Sequence, residues 1–357
     1  MRIGIIGLGA AGAATAAYLA AQGHTVFGFE QFTSPHPYGS SHGENRMLRR
    51  YPGEGPEYVA LMDWAYPLWQ NLAQQAKQQL FVPCGTLEAV LPAEDWANQA
   101  SLTDLLVADN VRQYFPLFSF PSDAKVFWRK QSGYVLAEAS LHAWLNQARG
   151  AGAQLHMQTA VVGIDAHGRC IRLHGGATVE VDYTVVCAGS WVRRLVEVPV
   201  KVERRVLAWY PYRTIPASIP PGFAVIGPDI AYGMPSPDGK TYKIGHHQHF
   251  NEVIDNHDVV PPVNTQDLML LNRVVADYLT GLVPTPERTA VCKYTMTANE
   301  DFIIDFIPDQ PKVLVVSACS GHGFKYMPAI GRLVNTMLVG GNIPFAVDRF
   351  RLSAHRG

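Results

Sequence analysis

The sequence predicts an α/β protein in which a Rossmann-type dinucleotide-binding domain is combined with a second domain built mainly from strands. Three observations carry this. An apolar strand at residues 3–6 runs into Gly7, Gly9 and Gly12 in GxGxxG spacing, followed by a small-residue helix at 13–22 and a second strand at 25–29. Two strand-rich blocks, at about 81–132 and 201–287, interrupt that pattern, and the chain returns after each to alternating helix and strand. Finally, residues 291–331 read as a β segment, an apolar strand at 313–318, a glycine turn and a helix from about Pro328.

Each element has its local reason. Gly7 permits the tight turn after the first strand, Gly9 lets a pyrophosphate approach the backbone, and Gly12 lets helix and strand pack closely. Glu30 closes the second strand, where a carboxylate can accept hydrogen bonds from a ribose hydroxyl. This fingerprint fits a dinucleotide without choosing between NAD and FAD. Next, His42, Arg46, Arg49 and Arg50 crowd into nine positions, and Ser41 and Glu44 have capping-box spacing that predicts a helical turn. If the turn continues, His42, Arg46 and Arg49 share a face; if it passes into a strand, Arg46 and Arg49 diverge. The ordinary explanation of such a run is a solvated basic face.

Apolar residues at helical spacing place a core helix at 58–75, and strand and turn character follows from 80 to 130 with a helical stretch near 100–108. A helix at 138–149 and strands at 154–162, 170–173 and 179–181 lead to TVVCAGSWVRRL, where a buried strand ends at Ala188 and Gly189 and a helical turn begins at Trp191. In the second strand-rich block, Pro237, Asp238 and Gly239 make a turn, and a hairpin centred on Pro237 and Asp238 places Tyr232 opposite Lys243. Thr241, Lys243, Gly245 and His247 then share a face. In the last segment, period two sets Cys292, Tyr294 and Met296 on one face and Lys293 on the other. Gly321 and Gly323, ahead of a helix N-terminus, form a cradle for an anion, and a flavin that gains negative charge on reduction is one fitting guest. A cysteine facing a cofactor can tether it, although a lone buried cysteine is ordinarily an apolar filler.

Composition narrows the function classes. Among 357 residues, 29 basic and 30 acidic side chains cancel to a net charge of −1, so nothing global points to nucleic acid or an anionic membrane. The five cysteines (Cys84, Cys170, Cys187, Cys292 and Cys319) include no CxxC pair, which argues against a disulfide framework and a metal site and for a reducing, cytoplasmic setting. No targeting segment is evident at either end, and the opening apolar run is too short to span a membrane.

Taken together, the GxGxxG opening, GSSHGENRMLRR, CAGSW, YGMP with YKIGHH, CKYTMTANEDFIIDFIP and SGHGFK resemble the monomeric sarcosine oxidase family, which includes N-methyltryptophan oxidase. The resemblance covers essentially the whole chain. It implies a discontinuous FAD-binding domain of the Rossmann, glutathione-reductase-like and D-amino-acid-oxidase type at 1–80, 133–200 and 288–357. The implied substrate domain, at 81–132 and 201–287, holds a mixed, mainly antiparallel sheet. The implied activity is oxidation of a secondary amine, typically an N-methyl amino acid, to the imine with reduction of O2 to H2O2, by a monomer carrying FAD on a cysteine thioether. Cys292 falls on that tether. Arg49 and Lys325 fall on residues that hold the substrate carboxylate, and Lys243 on the lysine credited with activating oxygen. Tyr232 and His247 match residues near the substrate amine, His42 and Arg46 groups that assist tethering and reduction, and Tyr294 and His322 positions near the ring. The physical case agrees, because a site holding Arg49, Lys325 and Lys243 disfavours a further ammonium and so favours the reactive free base, while a fixed cation at Lys243 stabilises developing superoxide.

Ser41 stands where the family has a histidine and Asn45 where it has a threonine, which bears on the substrate more than on the chemistry. The segment LAWYPYR (Leu207 to Arg213) offers aromatic walls to a larger substrate, although such residues in a strand are more often core. Three alternatives stand beside this reading: an NAD-dependent dehydrogenase, an oxidase of a cyclic, piperidine- or proline-like imino acid, and a flavin-binding protein without activity.

Overall fold

A computed structural model of the protein describes residues 1–50, 52–92, 105–254 and 259–355. Its first sheet has six strands, in the order Ile303–Ile307, Gln310–Ser317, Tyr183–Val186, Arg2–Ile6, Thr25–Phe29, Gln154–His156. Every neighbouring pair is parallel except the Ile303–Ile307 edge strand, which is antiparallel to Gln310–Ser317. A mostly parallel sheet with the Arg2–Ile6 strand near its centre is the arrangement that the glycine fingerprint predicts.

The helices Ala10–Ala21, Pro56–Ala76, Ala137–Gly150 and Met327–Leu338 contribute to the core on one face of this sheet. The alanine-rich first helix is buried nearly all round, so its packing depends on close backbone approach rather than on one apolar stripe. Gly331 makes that approach possible: a Cβ there would lie 2.7 Å from the Ala14 carbonyl oxygen. The other face packs against the small antiparallel sheet Val161–Ile164, Cys170–Leu173, Thr178–Glu180 through residues such as Phe29, Ile171 and Val186.

The second sheet has eight strands, in the order Arg288–Met296, Lys201–Pro211, Thr241–His246, Ile230–Pro235, Gly222–Ile226, Thr86–Val90, Lys125–Arg129, Leu105–Val107. It is mixed and mainly antiparallel, the one parallel pair being Gly222–Ile226 with Thr86–Val90. Alternation along Lys201–Pro211 sends Val206, Ala208 and Tyr210 into a core shared with the helix Thr265–Tyr278. Leu207 and Trp209 go to the opposite face beside Cys292 and Tyr294. Trp209, Tyr210 and Tyr212 are core residues and do not line the cavity described below. A third sheet, Asn45–Leu48, Gly133–Leu136, Phe81–Val82, completes the architecture.

Three expectations are corrected. No helical turn forms at Ser41–Glu44: Gly43 and Glu44 have φ of 95° and 69°, and the chain enters the strand Asn45–Leu48, which settles the basic run as extended. Ser41 instead accepts a hydrogen bond from the Ala10 amide at 3.0 Å, capping the fingerprint helix from outside. The hairpin register is also different. Tyr232 faces Gly245 and Met234 faces Lys243, because the connection takes residues 237–240 beyond a Ser236–Thr241 backbone bond. The Tyr232 ring lies against Gly245, where an added Cβ would come within 2.5 Å of it. Last, the helical stretch expected near 100–108 falls mostly outside the described residues, and the described part is a strand, Leu105–Val107, with a helix following at Ala108–Tyr114.

Candidate active site

Between the first two sheets lies a cavity of about 730 Å³, elongated from the glycine fingerprint to the Cys292 face. At the fingerprint end, Gly7 and Gly12 are demanded by packing. A Cβ on Gly7 would sit 2.5 Å from the Cys187 carbonyl oxygen, and one on Gly12 would sit 1.9 Å from that of Gly7. Gly9 instead opens to the cavity, its nearest neighbour being the Ser41 Oγ at 3.3 Å from an added Cβ. Glu30 is buried and accepts from the Leu8 amide at 2.9 Å and the Phe32 amide at 3.0 Å. Burial raises its carboxyl pKa against the pull of those amides. Ser190 and Ser317 also line the cavity with buried hydroxyls that have no protein partner. A backbone cradle at a helix N-terminus, an acceptor carboxylate and unpartnered hydroxyls along a narrow channel fit an adenine dinucleotide.

At the other end, Cys292 is 3% exposed and lines the cavity. Burial raises its thiol pKa, and Arg46 opposes that shift. Arg46 is tied down by the carbonyls of Asn45 at 2.8 Å, Ser40 at 2.9 Å and His42 at 2.5 Å. Tyr294 and Tyr232 share a hydroxyl hydrogen bond of 3.0 Å. Gly321, at φ of 73°, lies under Tyr294 and His247: an added Cβ would be 2.4 Å from one ring and 2.6 Å from the other. His42 and His322 are held neutral, with pKa values lowered to about 4 and about 3, by burial first and by Arg46 and Lys325 respectively. Lys243 is buried and donates to the carbonyls of Gly43 at 2.8 Å and Asn45 at 2.6 Å. Burial and then Arg46 push its pKa well down, against Glu44 and Glu138.

The structure brings the sequence-derived residues together. Gly7, Gly9, Glu30, Arg46, Arg49, Tyr232, Lys243, His247, Cys292, Tyr294, Gly321, His322, Gly323 and Lys325 line the cavity. Gly12 and His42 stand behind it, the first in the helix–strand contact and the second as a carbonyl partner of Arg46. Gly323 is constrained as Gly12 is, with an added Cβ 1.9 Å from the Ala318 carbonyl oxygen.

One residue escaped the sequence reading. Glu54 places a single carboxylate oxygen between Arg49, at 2.5 Å, and Lys325, at 2.8 Å. The Tyr326 hydroxyl approaches the other oxygen at 3.4 Å. Although burial alone would raise its pKa, Arg49 and Lys325 hold this carboxylate well below the usual range. Lys325 is in turn lowered to about 8, by burial more than Glu54 restores. The only signal in the sequence was an acid between two glycines in PGEG, five residues after Arg49; electroneutrality of two buried cations is what gives it meaning.

Residues 2–337 match the profile of the FAD dependent oxidoreductase family. The chain is 30% identical over 371 aligned residues to N-methyl-L-tryptophan oxidase of Yersinia pestis, covering 99% of this chain and 98% of that one. Among solved structures it resembles NikD, described as an unusual amino acid oxidase, with a TM-score of 0.83 at 22% identity over 98% of this chain and 96% of that one. Glycine oxidase from Geobacillus kaustophilus aligns with a TM-score of 0.80 at 18% identity over 100% of both chains.

The pairing at Glu54 yields a prediction. Glu54→Gln leaves two largely buried cations without their counter-ion and should cost about 3–5 kcal/mol of folding stability. The check is the urea denaturation midpoint at neutral pH; a midpoint equal to that of the parent would show that solvent, not Glu54, compensates Arg49 and Lys325.

Proposed function

The chain belongs to the FAD-dependent oxidoreductase family, and from that premise we propose that it oxidises a secondary amine, typically an N-methyl amino acid, to the imine while O2 is reduced to H2O2. Membership of this family displaces the nicotinamide alternative. The observation that carries the proposal is the convergence of Cys292, Lys243 and the Arg49–Lys325 pair on one cavity that also contains the dinucleotide fingerprint. Bound FAD supplies the two-electron acceptor that oxygen regenerates. The protein's residues do the rest.

We propose that Gly7, Gly9, Gly12 and Glu30 hold the nucleotide end, that Tyr294, His322 and the Gly321–Gly323 turn border the ring, and that Cys292 is its covalent anchor. Arg49 and Lys325 would orient the substrate carboxylate, with Glu54 giving up its place to it. Tyr232 and His247 would flank the amine. Arg46, Arg49 and Lys325 make a further ammonium unfavourable in the cavity, so the amine binds as the free base and needs no dedicated proton acceptor. Lys243, whose Nζ donates to two carbonyls, would stabilise the negative charge that develops as oxygen is reduced. His42 and Arg46 would assist tethering and reduction. Monomeric, cytoplasmic operation belongs to the same proposal; no helix among the described residues is long and apolar enough to cross a membrane.

The two-unit division at 1–80, 133–200 and 288–357 against 81–132 and 201–287 is also proposed. The hydrogen bonding of Arg288–Met296 into the eight-stranded sheet makes that strand a shared edge. A second reading is favoured by Glu54 itself: an amine without a carboxylate would leave the Arg49–Glu54–Lys325 bridge intact.

Three experiments test these statements. Purified protein should be yellow, keep its colour in the acid-precipitated pellet, and generate peroxide with N-methyl or cyclic amino acids; Cys292→Ser should release the colour to the supernatant. A colourless pellet from the parent chain would remove the tether. Lys243→Met should slow reoxidation by O2 at least about a hundredfold while anaerobic reduction changes much less, and the reverse pattern would refute its role. Finally, affinity for a simple carboxylate lacking an amine should fall as pH rises through about 8, because Lys325 then loses its proton. Affinity that stays level from pH 7 to 9.5 would favour the carboxylate-free amine.

A further inference from the structure

Behind the amine-side wall of the cavity lies a buried arginine that the proposed chemistry does not use. Arg205 is 1% exposed, stands directly opposite Cys292 in the antiparallel ladder, and does not line the cavity. It makes four hydrogen bonds. Its Nε donates to the His247 carbonyl, Nη1 to the Arg204 carbonyl at 2.9 Å, and Nη2 to the Glu203 carboxylate and to Asn251 Oδ1 at 3.2 Å. Its guanidinium carbon lies 4.9 Å from the centroid of the Tyr294 ring, which is 5.6 Å from that of His247.

The segment that Arg205 holds needs holding. His249, Phe250 and Asn251 have φ of 37°, 66° and 49°, three consecutive non-glycine residues in the left-handed region one residue beyond His247. Arg205 grips the segment at both ends, through the His247 carbonyl and the Asn251 amide oxygen. A second clamp sits between them, where His249 shares a hydrogen bond of 2.8 Å with Asp267, itself paired to Arg204. Its Glu203 partner is shared with Lys201, at 2.6 Å, so the guanidinium is held on the far side of the wall by a carboxylate anchored from both directions.

We propose that Arg205 is a positioning residue for the amine-binding wall, fixing His247 through its backbone, Tyr294 through its ring and, through Tyr294, the hydroxyl of Tyr232. As an assignment of function to that wall it rests on the reading given above. The planar fork is essential to it, because a lysine ammonium can keep the charge but cannot span the His247 carbonyl, Asn251 and Glu203 at once. Lys243 is anchored separately by Gly43 and Asn45, so the face where oxygen is handled does not depend on Arg205.

The test uses Arg205→Lys and Arg205→Met holoenzymes. Both should raise the concentration of N-methyl amino acid needed for half-maximal anaerobic flavin reduction about tenfold or more, with bound flavin and the rate of reoxidation by O2 within about twofold of the parent. Titration of the oxidised proteins with an unreactive tertiary amino carboxylate, followed by flavin absorbance, should weaken by a similar factor. Amide hydrogen exchange across residues 247–251 should accelerate about tenfold while the eight-stranded sheet is unchanged. Unaltered exchange in that segment overturns the inference whatever the substrate proves to be. So does full rescue by lysine, or a parallel fall of reduction, reoxidation and flavin content, which would mark a merely structural role. If the parent protein is reduced by no amine yet exchange accelerates as expected, the functional reading fails and the positioning of the segment stands.

Discussion

Two buried cations sharing one carboxylate oxygen set the terms for everything else in the cavity. Arg49 and Lys325 reach Glu54 from different parts of the chain, one just past the strand Asn45–Leu48 and one in the turn before the helix Met327–Leu338. Neither cation could be buried alone at an acceptable cost, and their shared acid joins the end of a strand to the turn before a helix, alongside the apolar contact of Leu48 with the same core. Because Glu54 meets both partners through the same oxygen, the pair behaves as one binding feature. A ligand carboxylate that enters must take over that oxygen's role.

The rest of the cavity is arranged to keep positive charge few and localised. Arg46 is fastened to backbone carbonyls, and His42 beside it and His322 beside Lys325 are held neutral by burial and by those cations. Lys243 is held differently. Two carbonyls hold its nitrogen whether it carries two protons or three, so its position does not change when its charge does. A group held this way can respond to negative charge arriving beside it without any side-chain movement. That is the property a site needs if amine and oxygen chemistry are to alternate in one cavity.

What the sequence disclosed and what it hid divide along the range of the interactions involved. The fingerprint glycines, the alternation around Cys292 and the order of helices and strands are local, and each could be read from spacing. Ser41 and Glu44 were misread because a capping box is a local signal overruled here by long-range partners: Ser41 serves the Ala10 amide, and Glu44 accepts from the indole nitrogen of Trp209 at 2.9 Å. The hairpin slipped because Pro237, Asp238 and Gly239 all suit a turn, and only the packing of the Tyr232 ring on Gly245 chooses the register. Glu54 and Arg205 were invisible for the complementary reason. Their partners lie across the fold, and a charge in sequence says nothing about which distant charge it will neutralise.

Selectivity under the proposed chemistry then follows from what the cations do not touch. With Arg49 and Lys325 serving every ligand carboxylate alike, and Tyr232 and His247 committed to the amine, discrimination between substrates falls to the apolar lining. Met47, Ala224, Ile226, Ile230 and Met234 supply it, mostly from the cavity side of the eight-stranded sheet. Ala224 is the smallest of these, so space is available beside it where larger side chains would close the wall. Each methylene buried there is worth about 0.8 kcal/mol, nearly a factor of four in affinity. The charged end of the cavity therefore decides which functional group is held, and the apolar wall decides which molecule bearing it is held best.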